Sequence, residues 1–146
     1  MIRINIVCVG KIKEKYIKDG IEEFLKRLSK YAKLDIIELS EEDDNKGVKS
    51  AIDIETERII NIIEKKNYSY NILLDLSGKM LTSVEMAQKI EKISLTNSEI
   101  NFIIGGSNGV ADKLRKIVDF RLAFSNFTFP HQLMRLILVE QIYRWI

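Results

Sequence analysis

The chain has 146 residues, of which 46% are hydrophobic and 30% are charged, and its formal net charge is +2 at pH 7. This length suits one domain with its own core, and the composition excludes a disordered chain. The only cysteine, Cys8, and the only histidine, His131, exclude a disulfide framework and a zinc site of these residue types, so we expect no bound metal. The longest uninterrupted apolar runs are four residues, too short to cross a membrane, and they indicate a soluble, cytoplasmic protein.

The charge is distributed unevenly along the chain. Residues 1–33 carry nine basic and four acidic side chains, whereas residues 34–66 carry five basic and ten acidic ones. Residues 101–146 are again basic, with six basic and three acidic side chains. Basic regions at the two ends of the chain can together attract nucleic-acid phosphates. A solvated lysine-rich helix produces the same pattern, so charge alone leaves a nucleic-acid partner open.

The spacing of apolar residues predicts strands and helices in alternation. The first predicted elements are a strand over residues 2–9, a helix over 14–32, a strand over 34–39, a polar loop at 40–47 and a helix over 48–66. The later ones are a strand over 70–76 with a turn at 77–79, a helix behind the capping box Thr82-x-x-Glu85, a strand over 100–104, a helix over 110–117, a strand over 120–124 and a helix that starts near Pro130. Five strands alternating with five helices predict an α/β fold with a mostly parallel sheet, helices on both faces and one domain over residues 1–146.

Ligands of open α/β sheets bind beyond the carboxyl ends of the strands. After the predicted fourth strand, Gly105, Gly106 and Gly109 permit a close approach of backbone to a ligand, although a plain tight turn explains them equally well. No Lys-Ser/Thr pair follows, which excludes a triphosphate-binding loop. Gly10, after the first strand, stands alone and does not make a dinucleotide fingerprint.

The segment after the fifth predicted strand, residues 125–129, alternates two phenylalanines with small polar residues. Pro130 directs the residue before it toward an extended conformation. An extended segment of this kind can present backbone amides and carbonyls to a flat heteroaromatic ligand, with Phe127 or Phe129 packed beside it. The alternative is that both aromatic rings fill the core.

The last predicted helix changes its polar side midway. At 100° per residue, His131, Gln132 and Arg135 share one side, and Glu140, Gln141 and Arg144 share the opposite one. A helix of this kind is expected to be buried on more than one face. Packing against a second copy of the chain accounts for the pattern, so we expect a homodimer. His131 at the helix start is a candidate general base, with a structural role as the alternative.

Five motifs occur in order along the whole chain. They are Val7-Cys-Val-Gly-Lys-Ile-Lys13, Leu74-Asp75-x-x-Gly78-Lys79, Phe102-Ile-Ile-Gly-Gly-x-x-Gly109, Thr128-x-Pro-His-x-Leu-x-Arg135 and Glu140-Gln-x-Tyr-Arg144. Together they resemble the ribosomal RNA large subunit methyltransferase H family, enzymes of the SPOUT class. The block from residue 128 to residue 144 is the most specific part of the resemblance.

The resemblance implies methyl transfer from S-adenosyl-L-methionine to N3 of a pseudouridine in 23S ribosomal RNA by a homodimer. It also implies a trefoil knot in the C-terminal half and a cofactor held largely by backbone groups at three loops. Carried over by motif, the cofactor-binding residues are Leu74, Gly105, Phe124, Ser125, Asn126, Phe127, Thr128 and Phe129.

Candidates for the other roles are weaker. Arg135 or Arg144 is a candidate to stabilise the anion that develops at N3, beside His131 as a candidate base. Candidates for RNA phosphate contacts are Lys11, Lys13, Lys15 and Lys18. The acidic residues 41–44 make a poor RNA surface and are expected to face away from the substrate. Two alternatives stay open: a SPOUT methyltransferase with another RNA target, and a non-enzymatic α/β module that binds RNA or a nucleotide.

Overall fold

The computed structural model describes every residue, Met1–Ile146. Its elements in chain order are β1 (Ile2–Val9), α1 (Lys15–Leu28), β2 (Ala32–Leu39), α2 (Val48–Glu64), β3 (Ser69–Met80), α3 (Ser83–Ser94), β4 (Glu99–Ile104), α4 (Asp112–Ile117), β5 (Phe120–Ala123) and α5 (His131–Trp145). The five strands form one sheet in the order β2-β1-β4-β3-β5, and every neighbouring pair is parallel. The predicted parallel α/β fold is confirmed.

Helices cover both faces of the sheet, as predicted. A core of 20 buried residues joins one face of the sheet to α1, α3 and α5, with Ile6 and Phe102 among its strand residues. A smaller core of 8 buried residues joins the opposite face to α2 and α4, through residues such as Val7 and Ile103. Because successive side chains of a strand point to opposite faces of the sheet, the same strands contribute residues to both cores.

Cys8 is completely buried in the larger core. Burial raises the pKa of its thiol to about 12, so the nucleophilic thiolate is not formed near neutral pH. Cys8 is a packing residue, as its position within a predicted strand indicated.

Two predicted boundaries differ from the structure for identifiable reasons. α1 ends at Leu28 rather than at residue 32, because Ala32 already pairs with Ile2 as the first residue of β2. β3 runs on to Met80, so the turn predicted at 77–79 is wrong: β5 pairs with both Leu74 and Lys79, and residues 75–78 form an irregular excursion between them. Both differences come from pairing with a distant strand, which overrides local propensity.

Several local predictions are confirmed. The capping box forms, with Thr82 Oγ1 accepting the Glu85 N–H at 3.1 Å and Glu85 Oε1 accepting the Thr82 N–H at 2.8 Å. Pro130 occupies the N-cap position of α5, where its missing N–H costs no hydrogen bond.

No helix combines the length and apolar character that crossing a bilayer requires. The threading of the C-terminal half into a trefoil knot stays a prediction of the resemblance.

Candidate functional site

A cavity of about 380 Å³ opens at the carboxyl ends of β4 and β5, beside residues 74–76 of β3. This is the edge of the sheet where parallel α/β folds bind ligands. Its walls come from five parts of the chain: the end of the regular part of β3, the glycine loop after β4, Arg115 of α4, the end of β5 with the segment after it, and the start of α5. The volume lies in the range of roughly 300–1,000 Å³ that small-molecule sites occupy.

Seven of the eight predicted cofactor residues line this cavity: Leu74, Gly105, Phe124, Ser125, Phe127, Thr128 and Phe129. The eighth, Asn126, is not among the lining residues. The Phe127 N–H donates to Ser125 Oγ at 3.0 Å, which folds the segment back on itself. Phe127 remains 77% exposed, so the alternative that both aromatic rings fill the core is wrong for this ring. Three sequence segments separated by tens of residues therefore meet around one concave space.

The glycine loop is both a tight turn and a site of close packing. The Gly109 N–H donates to the Gly106 carbonyl at 3.0 Å, and Gly109 has φ of +86°, a conformation that favours glycine. A Cβ on Gly105 would lie 2.7 Å from Val110 Cγ1, and one on Gly106 would lie 2.8 Å from Glu55 Oε1. No side chain fits at either position without moving a neighbour. The tight turn is confirmed, and the close approach of this backbone to a ligand stays a prediction.

The charged part of the cavity wall is an ion pair between Asp75 and Arg115. Arg115 Nε donates to Asp75 Oδ2 at 2.8 Å, and both residues line the cavity. Burial favours the protonated form of Asp75, but hydrogen bonds from Ser77 and Arg115 outweigh it and hold the pKa of this carboxyl below its usual value. Asp75 is therefore a carboxylate at neutral pH.

His131 lines the cavity from the first turn of α5. Its Nε2 atom is buried without a hydrogen-bond partner. Burial lowers the pKa of the imidazole below 6.5, against the opposing effect of the Glu41 carboxylate, so the ring is neutral at pH 7. No group of three or more His, Cys, Asp or Glu side chains is arranged to hold a metal ion.

The acidic segment, residues 41–44, contacts the glycine loop and the turn after β1, and none of its residues lines the cavity. That it faces away from the RNA substrate stays a prediction. Asp44 Oδ1 accepts a hydrogen bond from Asn108 of the glycine loop at 2.9 Å. A Cβ on Gly10 would lie 3.5 Å from Glu41 Oε2 and 3.7 Å from His131 Nε2, so these two side chains approach the same turn. The acidic segment is held there by its contacts with the glycine loop and with α2, whose Glu55 accepts the Glu42 N–H at 2.9 Å.

Neither candidate arginine lines this cavity. Arg135 is 1% exposed and donates to Glu38 Oε2 at 2.6 Å and to the Gly10 carbonyl at 3.0 Å. Arg144 pairs with Glu140 at 2.6 Å and lines a separate surface cavity that also contains Ile2, at the amino end of β1. The geometry gives Arg135 a structural role and separates Arg144 from the cavity.

The four candidate RNA-binding lysines are all exposed, but their surroundings differ. Lys15 forms an ion pair with Asp19 at 2.9 Å. Lys11 and Lys18 line a second cavity of about 290 Å³ together with the buried Arg135. The Lys13 N–H donates to Gln132 Oε1 at 3.1 Å, which attaches the β1–α1 loop to the start of α5 beside His131.

Comparison with known proteins identifies the family of this chain. The family described as "Predicted SPOUT methyltransferase" matches residues 2–146. The chain belongs to the SPOUT methyltransferase family. The cavity therefore lies in a chain whose family transfers methyl groups, and the recognition made from the five motifs is confirmed.

Several relatives match the SPOUT chain over most of its length. The protein named "Ribosomal RNA large subunit methyltransferase H" in Fusobacterium nucleatum is 54% identical over 97% of this chain and 92% of its own. Proteins of the same name in Clostridioides difficile and Alkaliphilus oremlandii are 52% and 50% identical, each over 97% of this chain and 91% of their own. These similarities favour an enzyme over a binding module without chemistry.

The sequence did not reveal every residue of the SPOUT cavity. Arg115 was not predicted, because its partner Asp75 lies 40 positions away and the pairing depends on strand order. Asp75 itself belongs to the Leu74-Asp75-x-x-Gly78-Lys79 motif, but the sequence assigned it no role. Met134 lines the cavity one turn after Pro130, and only the direction of α5 relative to the sheet could have indicated it.

Proposed function

We propose that this protein transfers a methyl group from S-adenosyl-L-methionine to N3 of a pseudouridine in 23S ribosomal RNA. The observation that carries the proposal is the meeting of three predicted cofactor segments around one cavity in a chain of the SPOUT methyltransferase family. The names of the relatives support a large-subunit ribosomal RNA as the substrate. Because such a substrate is found where ribosomes are, we place the activity in the cytoplasm.

The lining residues fit an adenosyl cofactor. The cavity is mostly apolar, with Leu74, Leu122 and Phe129 among its walls, and such surfaces suit the faces of an adenine ring. Gly105 and Gly106 line the cavity and carry no side chains. Their main-chain N–H and C=O groups are therefore the polar groups that these two positions can offer to a ligand. When bound, S-adenosyl-L-methionine supplies an electrophilic methyl group on a sulfonium centre.

The protein's contribution to the reaction is alignment and proton removal. Holding the methyl donor and the acceptor atom in line lowers the activation barrier by about 7–11 kcal/mol when the geometry is ideal. N3 of the acceptor base carries a proton that must leave. Among the titratable residues that line the cavity, Asp75 and Arg115 are paired with each other, so His131, neutral at pH 7, is the candidate base.

Lysines of the β1–α1 region support RNA binding at the same edge of the sheet. Lys11, Lys13 and Lys18 are exposed and have no carboxylate within ion-pair distance, which leaves them available to phosphates. Lys13 is also close enough to His131 to lower the pKa of its ring. We assign Lys15, which is paired with Asp19, a lesser part in phosphate binding than the other three.

A homodimer is part of the proposal. Large apolar side chains stay exposed around the cavity, with Leu76 58%, Phe127 77% and Met80 53% exposed. An adjoining groove contains Phe129 and, from α5, Ile137, which gives the helix the second apolar face that its sequence pattern indicated. A monomer rarely leaves this much apolar surface in contact with water. Sedimentation equilibrium is expected to give twice the mass of the chain.

The deciding experiment is methylation of ribosomes or ribosomal RNA that lack the modification, with labelled S-adenosyl-L-methionine and mapping of the labelled nucleotide. We expect one methyl group at N3 of a pseudouridine in 23S ribosomal RNA. Label in a different RNA would support the alternative target. Calorimetry with S-adenosyl-L-methionine and S-adenosylhomocysteine provides the second measurement, because a module that only binds RNA is expected to bind neither compound.

A further inference from the structure

The excursion of β3, residues 75–78, packs directly on the neighbouring strand. β5 pairs with Leu74 and again with Lys79, so the four residues between them leave the sheet and return. A Cβ on Gly78 would lie 2.6 Å from the backbone carbonyl carbon and oxygen of Arg121 in β5. Only glycine fits such a backbone contact. The excursion is therefore a defined part of the cavity wall rather than a loose loop.

Asp75 organises this excursion from within. Its Oδ1 accepts hydrogen bonds from the Ser77 N–H at 3.1 Å and from Ser77 Oγ at 3.0 Å. Its Oδ2 accepts one from Arg115 Nε at 2.8 Å and lies 3.7 Å from Arg121 Nη1. The carboxylate side chain is only 7% exposed. Four donor groups from β3, α4 and β5 thus surround one nearly buried carboxylate.

Arg115 extends the same network to the glycine loop. Its Nη1 donates to the Val110 carbonyl at 3.3 Å, and Val110 is the residue whose side chain touches Gly105. The guanidinium therefore joins the β3 excursion to the end of the glycine loop. Asp75, Val110 and Arg115 all line the cavity, so the network lies in the wall itself.

An ion pair at a nearly buried position is an inefficient way to gain stability, because desolvation of the two charges offsets most of their attraction. Its advantage is directional: a guanidinium and a carboxylate fix the relative placement of the elements that carry them. Binding sites need this kind of support behind the groups that touch the ligand. The ion pair between Asp75 and Arg115 is therefore better explained by the positions that it fixes than by a gain in stability.

We propose that Asp75 and Arg115 are positioning residues, which hold the β3 excursion and the glycine loop at the separation that the cofactor requires. The proposal rests on the proposed function, because the ligand is the adenosyl cofactor. It predicts that the two residues act as one unit. Loss of either is expected to loosen the glycine loop and weaken cofactor binding while the fold persists.

The test uses the full chain with three conservative variants, Asp75→Asn, Arg115→Lys and the two combined. Calorimetry with S-adenosylhomocysteine measures affinity, and amide hydrogen exchange of residues 105–110 measures the glycine loop. Each single variant is expected to bind at least tenfold more weakly and to exchange faster in that loop. The double variant is expected to bind no worse than the weaker single variant, because the two changes break one interaction.

Glu57→Gln is the matched control, since it removes another ion pair of α4, that between Glu57 and the exposed Lys113. This control is expected to leave both affinity and exchange unchanged. Single variants that bind within twofold of the wild type, additive losses in the double variant, or equal losses in Glu57→Gln would overturn the proposal. Absence of binding by the wild-type chain would instead overturn the proposed function, so the two failures are distinguishable.

Discussion

The two ends of the sheet use polar side chains in opposite ways. At the amino end, three asparagines on adjacent strands, Asn5, Asn101 and Asn71, form a line across β1, β4 and β3. Asn5 Nδ2 donates to Asn101 Oδ1, and Asn101 Nδ2 donates to Asn71 Oδ1, each at 2.9 Å. At the carboxyl end, polar side chains such as Asp75, Arg115 and Ser125 belong to the wall of an open, mostly apolar cavity. At the amino end, the asparagine amides hydrogen-bond to one another, whereas the carboxyl end contains a cavity.

The comparison indicates that the amino end of the sheet fixes the register of the strands, whereas the carboxyl end provides the cavity. The three asparagines are direct partners in the strand alignment, Asn5 with Asn101 and Asn71 with Asn101. A slip of one residue would send an amide to the opposite face and leave its partners unsatisfied in the interior. Changes at the amino end should therefore affect folding, and changes at the carboxyl end should affect the ligand.

The largest expected effect is at the carboxyl end, in Gly105→Val. The added side chain has no space, since a Cβ alone would lie 2.7 Å from Val110 Cγ1, and relief requires the glycine loop to move. We expect affinity for S-adenosylhomocysteine to fall at least 100-fold, about 2.7 kcal/mol, with a smaller cost in unfolding free energy. Calorimetry and urea denaturation measure the two quantities. Gly105→Ala should be intermediate. A folded Gly105→Val protein with wild-type affinity would contradict this role of the loop.

Asn101→Ala is expected to produce the reverse result. Asn101 is fully buried, and its loss leaves Asn71 Oδ1 without its donor while Asn5 keeps only its bond to Glu99 at 2.6 Å. We expect a loss of about 2 kcal/mol in unfolding free energy and no change in cofactor affinity of the folded protein. Asn108→Ala, which removes an exposed amide at the carboxyl end, is the control and should cost under about 0.5 kcal/mol. Weakened binding in Asn101→Ala would show that the two ends are not separable.

The same two ends differ in how far the sequence predicts them. The meeting of the three cavity segments was predictable because each follows an apolar run, and parallel strands bring their carboxyl ends to one edge. Their assignment to a cofactor came from the motifs of the family resemblance. The excursion of β3 was not, because Ser77-Gly78-Lys79 has the composition of a turn and only pairing with β5 extends the strand to Met80. The asparagine line was equally hidden, since polar residues within strands are recognisable as partners only when the strand order is known.

The smallest effect tests the acid–base role of the carboxyl end. Burial lowers the pKa of His131, Arg135 and Lys13 lower it further, and Glu41 opposes them. A base must be neutral to accept a proton, so the single-turnover methylation rate should fall on acidification with an apparent pKa below 6.5.

Removing the negative charge in Glu41→Gln removes the one influence that raises this pKa, so the acid limb of the pH–rate profile should move to lower pH. Glu22→Gln on α1, which does not contribute to the pKa of His131, is the matched control and should leave the limb in place. The sign of the shift is decisive, because general weakening of the site lowers the rate at every pH without moving the limb. An acid limb that moves upward in Glu41→Gln, or one that stays fixed, would exclude His131 as the group that takes the proton.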